Sequence, residues 1–143
     1  MQPGLKSSKE KCDRSETMRR VKSTNTGAEM KVRRILHKAG FRYRLHRKDL
    51  PGKPDIVFPG KRKVIFVHGC FWHQHSGCHR ADRPASNTDY WTKKLDRNII
   101  RDQENQKALQ QLEWGSLIIW ECEMRDEKRL LEQLVTFLTV LPS

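Results

Sequence analysis

The stretch Val64-Ile65-Phe66-Val67 is an unbroken apolar run that ends in His68 and opens a segment crowded with histidine and cysteine. A short continuous run of β-branched and aromatic residues predicts a strand buried on both faces, which requires covering layers on either side. Between His68 and His79 lie four of the six histidines, and Cys70 and Cys78 are two of the four cysteines. The chain is therefore read as a layered α/β fold whose chemistry is concentrated in the loop after one central strand. Loops at strand ends are where such folds carry their sites.

The flanking segments agree with a mixed sheet flanked by helices. Residues 1–13 are polar and basic and read as a flexible arm, and residues 14–143 read as one domain with a single core. Ser15 can cap a short helix through Val21, in which Met18 stands among arginines, either docked on the core or free to wedge into a DNA groove. Thr26-Gly27-Ala28-Glu29 matches a capping box opening a helix that stops at Gly40. Glu29 thus reads either as the structural acid of the cap or as an acid facing a metal site, and the two roles are compatible. Phe41 to Arg47 alternates apolar and basic residues and predicts a half-buried strand with one positive face. Leu50 to Pro54 is a turn, Asp55 to Phe58 a short buried strand, and Lys63 to His68 the central strand. A helix from Asn87 or Thr88 to Leu112, closed by Gly115, has a stripe of Trp91, Leu95, Ile99, Leu109 and Leu112. Asp102 and Gln106 fall on that inward face, where Asp102 can orient a histidine or pair with an arginine. Gly115 to Cys122 reads as a second strand buried on both faces, ending in a thiol. A last helix from Asp126 to Leu141 packs its leucines on the sheet.

Charge narrows the partner. There are 29 Lys and Arg against 17 Asp and Glu, a formal net charge of +12. A surface this positive suits a polyanion, and nucleic acid leads because neutralising phosphates releases counterions. No apolar run reaches the ~18 residues of a membrane span and no apolar signal core opens the chain, so a cytoplasmic, DNA-associated location is expected, with no membrane partner. In a reducing compartment Cys12, Cys70, Cys78 and Cys122 are better read as thiols or metal ligands than as disulfides.

Zinc prefers thiolate and imidazole in tetrahedral sets. Cys70, His75 and Cys78 fall within one nine-residue window, and Cys122 can complete a closed, structural Cys3His site. His73 and His79 compete for the histidine position. With His75 taken by zinc, His68 and His73 remain beside Asp55. Imidazoles near a carboxylate suit hydrolysis with a general base, and Asp55 can hold magnesium, which takes oxygen ligands and pairs with phosphates. Phe71 and Trp72 either stack on bases or form a small satellite core beneath the loop.

Three strings, Pro51-Gly52-Lys53-Pro54-Asp55, Val64 to His73 with its His-Gly-Cys-Phe-Trp-His core, and Trp120-Glu121-Cys122, resemble the very short patch repair (Vsr) DNA mismatch endonucleases from about Arg14 to Leu138. The resemblance implies a restriction-endonuclease-like fold and a magnesium-dependent, strand-specific nick at a T:G mismatch in double-stranded DNA, the lesion left by deaminated 5-methylcytosine. It further implies Asp55 and the main-chain carbonyl of Val67 as magnesium ligands, His73 as general base, His68 at the phosphate, and Glu29 and Asp102 completing the polar shell. By the same resemblance Cys70, His75, Cys78 and Cys122 hold structural zinc. Phe71 and Trp72 enter the mismatch from the major groove and Met18 from the minor groove. A monomer is expected, with other mismatch-repair proteins as candidate partners. Two rival readings are a zinc-stabilised DNA-binding protein without catalysis and an endonuclease cutting matched DNA. The acid-x-Lys of the wider nuclease superfamily is replaced here by Phe66-Val67-His68, and Ser76-Gly77 makes the zinc loop one residue longer.

Overall fold

A computed structural model describes residues 26–140 of the chain. The arm at residues 1–13, Cys12, the Ser15 helix with Met18, and Leu141 at the end of the last expected helix lie outside the described residues.

Helix α1 (Gly27–Lys38) begins as its capping residue dictates, with Thr26 Oγ1 accepting from the Glu29 N–H at 3.2 Å. It ends where Gly40 takes φ +94°, a left-handed conformation that side chains resist. Strand β1 is only Arg44–Leu45 and both residues are exposed. Alternation does hold for Phe41 and Tyr43, whose rings meet Phe58 edge-on. At its C-terminal side the expected longer strand is cut short where His46 adopts φ +49°, outside the extended region.

Strands β2 (Ile56–Phe58) and β3 (Lys63–His68) form an antiparallel pair, and β4 (Gly115–Trp120) runs parallel to β3 with His68 opposite Trp120. The sheet order is β1-β2-β3-β4. Helix α2 (Thr88–Gln111) makes the crossover between β3 and β4, and α3 (Glu127–Thr139), capped by Asp126, follows. Val32, Leu36, Ile56, Phe58, Ile65, Ile119, Leu130, Leu134 and Leu138 form the core on one face, beneath α1 and α3. Leu50, Val57, Val64, Phe66 and Leu109 form the other, beneath α2. Strand β3 alternates between these two cores, which is why its apolar run is continuous.

Four further expectations are corrected. Leu112 is exposed rather than the last rung of the α2 stripe, and the helix is stopped by Glu113 at φ +64°, not by Gly115, which opens β4. Only Ile119 of β4 is fully buried, because among the described residues β4 is an edge strand. Cys122 lies past the strand, in a 3-10 turn, Glu121–Arg125.

The topology decides where the chemistry goes. Because β2 is antiparallel to β3 and β4 is parallel to it, the start of β2 and the ends of β3 and β4 share one end of the sheet. Asp55, His68, the His/Cys loop and Cys122 are thereby gathered there. Gly52, at φ +80°, lets the Pro51-Gly52 turn lie flat on Phe66; a Cβ there would sit 3.0 Å from the ring. That close approach delivers Asp55 to β3.

Candidate active site and zinc centre

Asp55 precedes β2 by one residue, and its Oδ2 accepts from the Val67 N–H at 2.8 Å. The contact to Val67 thus runs through the amide. Burial pushes the Asp55 carboxyl up to about 6, with the Val67 hydrogen bond opposing and the nearby Glu29 charge adding to the rise. Glu29, 2 % exposed, is in the same cluster: its Oε2 meets Arg33 and lies 2.8 Å from His46 Nε2. Glu29, His46 and Asp55 present one carboxylate oxygen or ring nitrogen each, all within 4.8 Å of one another. That donor set fits a divalent cation.

His46 is the residue sequence reasoning missed. It reads as one member of a basic strand face, and its only signal is that it sits nine residues before Asp55 in a segment the structure folds back on β2. The left-handed φ turns the chain there, and the His46 N–H still donates to the Asp55 carbonyl at 3.1 Å.

On the other side of Asp55, His73 Nδ1 lies 2.6 Å from Asp102 Oδ2, so of the two partners open to Asp102 it takes a histidine. The bond fixes the ring and leaves Nε2 as its second nitrogen. Gln106, one turn further along α2, accepts from Ser116 Oγ at 2.5 Å. His73 stacks on His68 with ring centroids 3.6 Å apart and planes 6° from parallel. His68 is 4 % exposed, and burial together with His73 pulls its pKa down to about 3. It is a neutral imidazole at any working pH. Its buried Nδ1 has no hydrogen-bond partner among the described residues. An unmet buried nitrogen costs roughly 1–3 kcal/mol, the kind of cost retained at functional sites.

Beyond His68 the loop closes on itself. His73 N–H donates to Gly69 O at 3.1 Å and His75 N–H to Cys70 O at 2.9 Å. Cys70, His75, Cys78 and Cys122 converge, with one donor atom from each within 4.8 Å of all the others. His75 Nδ1 is 3.6 Å from Cys70 Sγ and 3.5 Å from Cys122 Sγ. With Zn–S near 2.3 Å and Zn–N near 2.05 Å, the sulfur-to-nitrogen edge of a tetrahedron is about 3.6 Å. The four residues therefore fit zinc. Burial pushes the Cys70 thiol up to about 12, so without a cation it stays protonated. Of the competing histidines, His73 is held by Asp102, and exposed His79 opens a 3-10 turn outside the cluster.

Phe71 is 1 % exposed and packs with Trp91 and Leu95, and Trp72 lies partly buried against them. Of the two arrangements open to this pair, the described structure holds the satellite core. Lys94 lies over the Trp72 ring, and Asn98 Nδ2 donates to the Trp72 carbonyl at 3.0 Å. No helix among the described residues is long and apolar enough to cross a membrane.

The DNA mismatch endonuclease Vsr family matches residues 7–80. The chain is similar to the Type II nicking enzyme V.XorIIP of Xanthomonas oryzae pv. oryzae, 52% identical over 109 residues that cover 76% of this chain and 79% of the relative. It is 38% identical over 127 residues to the DNA mismatch endonuclease Vsr of Escherichia coli, covering 89% and 81%. With the Type II nicking enzyme V.NmeAIP of Neisseria meningitidis it shares 40% identity over 121 residues, covering 85% and 86%. With the family match over half its length and relatives this similar over most of it, the chain belongs to the Vsr family of DNA mismatch endonucleases.

Proposed function

We propose that the protein is a cytoplasmic, magnesium-dependent endonuclease that nicks one strand of duplex DNA beside a T:G mismatch arising from deaminated 5-methylcytosine. The observation that carries the reading is the alignment of Asp55, His68, His73 and Asp102 along one sheet end, with the zinc-type cluster bracing the loop between them.

In this reading Asp102 accepts the proton on His73 Nδ1 as a hydrogen bond, so His73 Nε2 is free to take a proton from the attacking water. Asp102 also stabilises the imidazolium that results. His68, kept neutral by burial, supports the His73 ring face to face and assists at the scissile phosphate. Asp55 and the Val67 carbonyl would hold the magnesium, with Glu29 beside Asp55 in the polar shell. Bound there, magnesium supplies charge stabilisation for the phosphate and the leaving oxygen. The Cys70, His75, Cys78 and Cys122 set holds structural zinc and keeps His73 in place by fixing its loop.

Trp72 and Phe71 serve the mismatch by stacking. Phe71 must leave its pocket for this, losing roughly 2–3 kcal/mol of burial, and base stacking worth about 1–3 kcal/mol per base offsets that loss. The exchange favours a poorly stacked mismatch over a sound pair, because the former opens more cheaply. Met18 is assigned to the opposite groove.

The test is a nicking assay on end-labelled duplexes that differ only in one T:G or T:A pair within a 5-methylcytosine sequence context, with and without magnesium. One cut strand, in the T:G duplex alone and only with magnesium, is the expected result. Equal cutting of both duplexes would move the protein to enzymes of matched DNA, and tight binding without a cut would leave a zinc-stabilised binding protein.

A further inference from the structure

We infer that the cation centre at Asp55 has a nitrogen donor, His46 Nε2, alongside the Glu29 carboxylate, and that it therefore takes manganese(II) more tightly than magnesium. The inference rests on the reading of Asp55 as a metal ligand and says what else in the chain reaches that ion.

Around an ion with bonds of 2.1–2.2 Å, adjacent octahedral donors stand roughly 3.0 Å apart and opposite donors roughly 4.3 Å. His46 Nε2 and Glu29 Oε2 are 2.8 Å apart, and both are within 4.8 Å of an Asp55 donor oxygen. Three donors from three different segments therefore stand at ion-binding separations. The backbone holds them there. Thr26 caps the helix turn that bears Glu29, the Val67 N–H fixes Asp55, and the His46 N–H grips the Asp55 carbonyl. The left-handed φ of +49° at His46 ends β1 beside Asp55.

Charge and access point the same way. Two carboxylates face one guanidinium, that of Arg33, which shares the Glu29 oxygen with His46. Glu29 is almost fully buried, whereas the His46 side chain is 31 % exposed, leaving an entry side. The second histidine group nearby, His68, His73 and Asp102, does not offer this. Its two rings lie in planes 6° from parallel and 3.6 Å apart, so their in-plane lone pairs cannot meet at one ion.

An imidazole ligand is what separates the candidate ions. Magnesium prefers oxygen and water, whereas manganese and its neighbours accept nitrogen. Manganese(II) bound to the full-length, zinc-loaded protein is followed by electron paramagnetic resonance, to which zinc is silent. Wild type should bind manganese about tenfold or more tightly than magnesium, and its spin-echo spectrum should carry nitrogen modulation from one imidazole. His46→Gln should remove the modulation and weaken manganese about 10–100-fold while leaving magnesium within about threefold. Asp55→Ala should lose both ions. Absence of nitrogen modulation from the wild-type spectrum, which needs no variant to fold, overturns the inference. So does modulation that persists in His46→Gln. Either result together with lost binding in Asp55→Ala leaves the Asp55 reading intact. Full manganese affinity in Asp55→Ala overturns the Asp55 reading itself, and this inference with it.

Discussion

Replacing Asp55 by asparagine should make the protein more stable and inactive at once. The carboxyl sits near 6 in the folded protein against an ordinary 3.8, because burial disfavours its charge. An acid whose folded value is raised holds its proton more tightly when native, so stability falls as pH rises through the window from about 4 to about 6. Above that window the folded protein carries the full cost of a buried carboxylate, about 3 kcal/mol at pH 7.5, shrinking to about 0.5 kcal/mol at pH 4. Asparagine keeps the oxygen that accepts from Val67 N–H, adds an amide that can face Glu29, and carries no charge. In a chain of this size the gain at pH 7.5 corresponds to a rise of about 6–12 °C in Tm. Urea denaturation of both proteins in magnesium-free buffer, at pH 4 and pH 7.5, measures it directly. Taking the difference between variant and wild type cancels the opposite pH dependence contributed by His68, whose lowered pKa makes the native state less stable in acid. Equal urea midpoints at pH 7.5, or a difference that fails to shrink on acidification, would show that burial of Asp55 is not held against folding. With Asp55 as the proposed magnesium ligand, added magnesium should narrow the gap by stabilising wild type and not the variant.

Asp102→Asn should leave folding intact and slow nicking about 10–100-fold, because His73 loses the partner that sets its tautomer and orientation; single-turnover rates with zinc content as control decide it. Cys122→Ser should lower bound zinc below one ion per chain and Tm by several degrees, since Cys122 ties the loop after β3 to the turn after β4; metal analysis beside a thermal melt reads both.

Much of this molecule is legible along the chain because the signals are local. The Thr26 cap, the glycine stop at Gly40, the two-faced apolar run of β3 and the Asp126 start of α3 each rest on residues a few positions apart, and each stands in the structure. The crowding of Cys70, His75 and Cys78 likewise marks a candidate metal loop before any strand is paired, and the structure brings the three together with Cys122. What tertiary structure alone decided are the relations between distant segments. Packing of the loop after β3 chose which partner each imidazole meets: His73 went to Asp102 and His75 to Cys70 and Cys122. Sheet order left β4 on an edge and so only partly buried, although its apolar composition matches that of β3. The core beneath the loop drew in Phe71, a side chain whose sequence context served equally well for display. His46, with no motif of its own, became part of the site only because a left-handed residue ends β1 beside Asp55. Composition and periodicity set which face of an element is apolar, whereas the long-range pairing of β1, β2 and β3 sets what a polar side chain at the sheet end finds opposite it.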